Sequence, residues 1–264
     1  SNISTTTLAW ATLSMHGSSA TGRAEAWLTE RVGNLTAESM GHAINRVYGE
    51  DRTFSVPILT HCALAGRCDW EHIPTLPFEL AALPHSWFKW VGLPVVSYAL
   101  PALIAIGLAR HRHSPTNNRA HRRLRDLMQQ RTLRILESLQ PASGGFLEAI
   151  PLTSFVTMSL AGSGLAQHLV TRKGVEFLVT AVRKDGSWPI DTNLATWVTT
   201  LAVNALGADA FSLEERDYLK HWLLDQQHTV VHPYTKSAPG GWAWTDRSGG
   251  VPDGDDTSGA LLAL

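Results

Sequence analysis

With 264 residues, 44% of them apolar, the chain can bury a sizeable core and holds one large domain or parts of two. Its 22 basic and 23 acidic residues leave a net charge of −1, so no overall field draws in nucleic acid or an acidic polymer, and nucleic acid is not an expected partner. Two cysteines, Cys62 and Cys68, are too few for a disulfide framework and lack the Cys or His neighbours of a structural zinc site, which points to a reducing compartment.

The chain opens on the polar stretch Ser1 to Thr7 instead of a secretory signal, and it starts as if in mid-protein. Further on, Val91 to Ala109 runs for 19 positions without a charge, which reaches the lower limit of a membrane span. Gly92, Pro94 and Pro101 interrupt that run and favour a buried helix instead. Directly after it, Arg110 to Arg125 concentrates Arg110, Arg112, Arg119, Arg122, Arg123 and Arg125 with His111, His113 and His121. Such a run reads first as a solvated face, with contact to anionic lipid headgroups as the alternative.

From residue 135 the chain repeats itself. The middle copy runs Lys173, Gly174, Phe177, Leu178, Val182, Gly186, Ser187 and Trp188. The copy before it places Ile135, Leu136, Gln140, Gly144, Gly145 and Phe146 at the same offsets, and the third gives Trp222, Leu223 and Gln227, then the longer loop His228 to Pro239, then Gly240, Gly241 and Trp242. Between these signatures lie nearly apolar helices: Thr153 to Gly162, Leu194 to Leu206, and Thr257 onward. An amphipathic helix exposes one face, whereas one that is apolar all round must be buried. Alternation of the two kinds predicts amphipathic helices outside and apolar ones inside, an all-α fold of the α/α barrel kind. A generic helical solenoid has the same periodicity.

Nine residues beyond Trp244 stands Pro252-Asp253-Gly254-Asp255-Asp256-Thr257, opening an apolar run. One aspartate suffices to cap a helix. Three within four residues incur a like-charge cost that eases when one keeps its proton, which raises an apparent pKa of the set. A protonated carboxyl beside an apolar cavity is what protonation of an alkene requires.

The repeat is similar to the QW motif of the triterpene cyclases, in which a basic residue and Gly lead to an aromatic-Leu pair, a Gln, and Gly-x-Trp. Val182 stands for the Gln in the middle copy and Phe146 for the Trp in the first. Together with the Asp-x-Asp-Asp sequence, this makes the chain resemble the central segment of a class II triterpene cyclase of the squalene-hopene type. Asn2-Ile3-Ser4-Thr5-Thr6 and Leu76-Pro77-Phe78-Glu79-Leu80 through Pro84 also have counterparts there, so the resemblance covers nearly the whole chain.

The resemblance implies an α/α toroid of the terpenoid cyclase type, with two barrels incompletely represented: residues 1–192 for most of an inserted barrel and 193–264 for the start of the catalytic one. It implies an isomerase that cyclises squalene or a similar linear isoprenoid by protonation, with no cofactor and no metal. Asp255 is the implied general acid, Asp253 and Asp256 its flanking carboxyls. Trp197, Trp244 and Tyr98 are the implied substrate-facing aromatics, acting on cationic intermediates through their ring faces. The Trp-Asp-Thr segment of the family reads Trp197-Val198-Thr199 here, so its second carboxylate is absent at that position. A peripheral, monotopic place on the cytoplasmic side of a membrane is implied, with the lipid surface and a possible homodimer as partners. Family members are more than twice as long, and the segment alone is expected to be catalytically silent. Rival readings are a class II cyclase of another polyprenoid and a non-catalytic helical-repeat scaffold. Protein prenyltransferase β subunits share the barrel but need zinc ligands that this chain does not offer.

Overall fold

A computed structural model of the chain describes residues 2–48, 52–83, 100–233 and 235–264. Tyr98 lies outside the described residues. Among these residues there are eleven α-helices and no β-strand, and the chain divides into two compact units, residues 1–136 with 155–172, and residues 137–154 with 173–264.

The first unit begins with α1 (Ile3–Met15), whose N-cap Asn2 accepts a hydrogen bond from the Ser4 amide at 2.8 Å. Helices α2 (Thr21–Val32), α3 (Ala37–Tyr48) and α4 (Arg52–Leu64) follow. Their core gathers Trp10, Leu28, Met40, Ile44, Leu59 and Cys62 with Ile73 and Ile106. Two buried hydroxyls of this unit are satisfied within their own helices: Thr7 Oγ1 donates to the Ile3 carbonyl at 2.7 Å, and Thr60 Oγ1 to that of Val56 at 2.8 Å. Both cysteines are free thiols, and burial pushes Cys62 and Cys68 up to about 12, so they stay protonated and inert.

Helix α5 (Leu100–His113) buries most of its length, and α6 (Arg119–Leu139) lies next in the chain. No helix among the described residues is long and apolar enough to cross a membrane. The basic run expected to be a solvated or lipid-facing surface is split by the fold. Arg110 is buried and its Nε donates to the Ile73 carbonyl at 2.8 Å. His111 is buried against Asp126 at 2.8 Å, and Arg125 is buried against Glu79, its Nε 3.1 Å from Oε2. Arg110 and Arg125 are internal clamps, because a buried cation is tolerated only where carbonyls or a carboxylate replace its water, and His111 ties α5 to α6 through its hydrogen bond to Asp126. Burial pushes the Glu79 carboxyl up, but the His121 hydrogen bond and the Arg125 charge outweigh it and leave the group below its ordinary range. Arg112, Arg119, Arg122 and Arg123 are the arginines of the run that remain exposed.

In the second unit the aligned repeat positions make the same bonds. Trp188 Nε1 donates to the Leu178 carbonyl at 2.8 Å and Trp242 Nε1 to the Leu223 carbonyl at 2.7 Å. Gln140 Nε2 donates to Gly144 O and Gln227 Nε2 to Gly240 O, both at 2.9 Å. The tryptophan thus ties each Gly loop to its preceding helix, α8 (Leu169–Thr180) or α10 (Leu213–Asp225), and the glutamine pins the loop from the other side. Gly144, Gly186 and Gly240 all have left-handed backbones, with φ of 86, 80 and 111°. A Cβ on Gly144 would also lie 2.6 Å from the Lys173 carbonyl. Gly144→Ala is therefore expected to destabilise this unit by about 1–3 kcal/mol, read as a lowered urea midpoint at unchanged slope.

Two of the apolar helices start about three residues earlier than their sequences suggest, α7 at Ile150–Leu160 and α11 at Gly254–Ala263, begun by Asp253 as N-cap, while α9 (Ala195–Leu206) matches its expected span with Leu194 as N-cap. Contrary to the expectation from all-round apolarity, α9 and α11 are not wholly buried. They pack on each other, with Asn204 Nδ2 donating to the Gly259 carbonyl at 3.0 Å, while Trp197, Val198, Leu201, Leu261 and Leu262 stay exposed. Burial requires a neighbour on every side, and no described residue covers those faces.

Candidate active site

The acidic motif owes its placement to a loop closed at its neck. The Asp253 amide donates to the Trp242 carbonyl at 3.2 Å, the Trp242 amide donates to Thr257 Oγ1 at 3.0 Å, and the Asp256 amide donates to Asp253 Oδ1 at 2.8 Å. Asp253 is thereby the N-cap, and Asp255 and Asp256 fall in the first turn of α11. The same loop is tied to α9. The Trp197 amide, one of the free donors at that helix start, donates to the Trp244 carbonyl at 3.0 Å, and Thr245 Oγ1 donates to Asn193 Oδ1 at 2.8 Å.

These ties bring Asp253, Asp255 and Asp256 to one concavity of about 340 Å³, walled by Leu194, Trp197, Thr200 and Leu201 of the α9 segment, by Trp244, and by Asp191. Five of the six site residues expected from the sequence are therefore together, and the sixth, Tyr98, is not described. Trp197 is 47% exposed, and the Trp244 Nε1 is buried without a hydrogen-bond partner among the described residues.

The three carboxyls differ. Asp255 is exposed and Asp253 half-buried, whereas Asp256 is 7% exposed. Burial first, then the charge of Asp253, a hydrogen bond to Asp253 and the charge of Asp255, push Asp256 up to about 7. A proton is consequently held at this cluster near neutrality, on the member buried deepest. Among the described residues no group of three or more His, Cys, Asp or Glu side chains is arranged to hold a metal ion.

Asp191 was not singled out from the sequence. It stands alone in the loop Trp188-Pro189-Ile190-Asp191-Thr192, outside any acidic cluster. Only its place just before α9, six residues ahead of Trp197, was a usable signal. Burial raises its pKa as well.

Chemically, the pocket pairs a stored proton with two indole rings and aliphatic walls. Such an arrangement can deliver a proton to a weakly basic hydrocarbon and stabilise the cation that results. No protein-family model matches this sequence, and no curated protein is significantly similar to it.

Proposed function

We propose that the chain carries the proton donor and part of the hydrocarbon site of a class II triterpene cyclase of the squalene-hopene type, an isomerase acting on squalene or a similar linear isoprenoid. The observation that carries this reading is the shared pocket: three aspartates, one of them holding its proton near neutrality, face Trp197 and Trp244. In this reading the helices belong to an α/α toroid, with residues 1–192 in one barrel and 193–264 opening the catalytic one.

Asp255 protonates the terminal double bond, and the alkene electron pair forms the new C–H bond and leaves a tertiary cation. Successive double bonds of the chain attack it and close the rings. Asp256, which keeps a proton of its own, lowers the total negative charge beside Asp255 before transfer. The indole faces then stabilise the travelling cation in place of water. At about 340 Å³ the pocket lies at the small end of small-molecule sites and holds one end of such a substrate. A substrate that dissolves only in lipid would reach it from a membrane surface. The exposed arginines Arg119, Arg122 and Arg123 suit contact with headgroups on the cytoplasmic side.

The full-length protein that carries this chain, purified in detergent and incubated with squalene, should yield a cyclic product of unchanged mass by gas chromatography and mass spectrometry. Cyclisation of another polyprenoid but not squalene would keep the reaction and change the substrate. Failure with both would leave a binding scaffold.

A further inference from the structure

A second cleft, of about 680 Å³, adjoins the acid pocket and shares Asp191 with it. One wall is a face of α8, where Lys173, Glu176 and Thr180 follow at helical spacing, continued by Arg183 just past the helix end. The other wall carries Asp191, Thr192 and Arg247. That wall is firmly built. Ala149 and Asp191 form an antiparallel bridge, flanked by bonds from the Ile150 amide to the Ile190 carbonyl at 2.9 Å and from the Thr192 amide to the Glu148 carbonyl at 3.0 Å. Fully buried Glu148 also accepts from Ser143 Oγ at 2.6 Å and from Thr192 Oγ1 at 3.1 Å. Those two hydroxyls of the cleft are thereby committed, which leaves its charged side chains to meet a ligand.

Both signs of charge face this one hollow without pairing. Neither the cations Lys173, Arg183 and Arg247 nor the carboxylates Glu176 and Asp191 form an ion pair among the described residues. Arg183 acts at longer range on Asp185, which lies outside the cleft. Lys173 and Asp191 are half-buried. A charge that has lost part of its water gains most from a partner of opposite sign. Two guanidinium forks and an ammonium suit a phosphate, whose oxygens accept several charge-assisted bonds at once. The two carboxylates repel a bare anion but accept from an ammonium group.

We propose that this cleft binds a zwitterionic phosphate ester, its phosphate among Lys173, Arg183 and Arg247 and its ammonium group at Glu176 and Asp191. The same chemistry comes from a free amino-alcohol phosphate or from the headgroup of a phosphatidylethanolamine. Exposed Val179 and Ile190 stand next in the chain to the cleft residues Thr180 and Asp191, so the rim also offers apolar surface to an acyl chain. The proposal does not rest on the cyclase reading.

Calorimetric titration of the full-length protein tests it with three probes: inorganic phosphate, phosphoethanolamine, and the short-chain lipid dihexanoylphosphatidylethanolamine. At least one of the two esters should bind more tightly than inorganic phosphate, and the tighter of the two identifies a free ligand or a lipid headgroup. Lys173→Gln and Arg247→Gln, each checked by a melting curve, should weaken that ester by about ten-fold through loss of a charge-assisted bond. Glu176→Gln should move the probes in opposite directions, weakening the ester and tightening inorganic phosphate, each by about three-fold as expected of an exposed charge. No saturable binding of either ester, binding no tighter than that of inorganic phosphate, or affinities that all three variants leave unmoved overturns the proposal. None of these readouts uses squalene, so the result stands whatever becomes of the cyclase reading.

Discussion

Asp255→Asn is expected to lower cyclisation by about 10²–10⁴-fold, the range for loss of a general acid, while leaving the melting temperature close to that of wild type. The separation of the two effects follows from where the carboxyl sits. Asp255 is exposed in the first turn of α11 and is not the cap, a role taken by Asp253 through its 2.8 Å bond from the Asp256 amide. Its side chain is exposed and makes no cap bond, so the stability change should stay within about 0.5 kcal/mol. Asp253→Ala differs, because it takes away the cap and should cost about 1 kcal/mol. Product mass per enzyme in a single-turnover assay, paired with a melting curve, separates these cases. If Asp255→Asn keeps more than a tenth of the activity, the donor is another member of the cluster, and Asp256 is the one that already holds a proton.

Much of this was legible in the sequence because it is periodic or local. Gln140, Gln227, Trp188 and Trp242 recur at aligned positions of the repeat despite the longer loop of the third copy, and each pair makes one bond type in the fold. The Asp-x-Asp-Asp run announces both a helix start and a coupled set of acids, since both properties depend only on neighbours in the chain. What was not legible depends on distant partners. Arg110 and Arg125 look like their solvated neighbours, and only the Ile73 carbonyl and Glu79 make them internal. Asp191 looks like an ordinary loop aspartate until the bridge to Ala149 turns its segment toward the pocket. The exposure of Trp197 and Leu262 follows from what lies beside α9 and α11, which no pattern within those helices reports.

Asp256 should dominate the pH dependence of stability at this site, and with a sign opposite to that of a salt-bridged carboxylate. Its folded pKa is raised to about 7, from a starting value of 3.8. Between those values the folded chain binds more protons than the unfolded one, so the stabilisation from the held proton is complete below about pH 4 and is lost as pH rises through about 7. Three units correspond to an upper bound of about 4 kcal/mol. Solvent in the adjoining pocket screens the carboxyl, and about 2 kcal/mol is the expected loss. Asparagine is isosteric with the protonated acid and can still donate to Asp253. Asp256→Asn should therefore match wild type at pH 4 and exceed it by about 2 kcal/mol at pH 8, as read from urea unfolding at both pH values. Taking the difference between the two proteins cancels the titrating groups outside this cluster, including Glu79, whose lowered pKa makes its own contribution run the other way. A flat difference across that range would mean that Asp256 releases its proton like an ordinary aspartate. The pocket of Trp197 and Trp244 would then hold no stored proton, and the observation that carries the cyclase reading would fall.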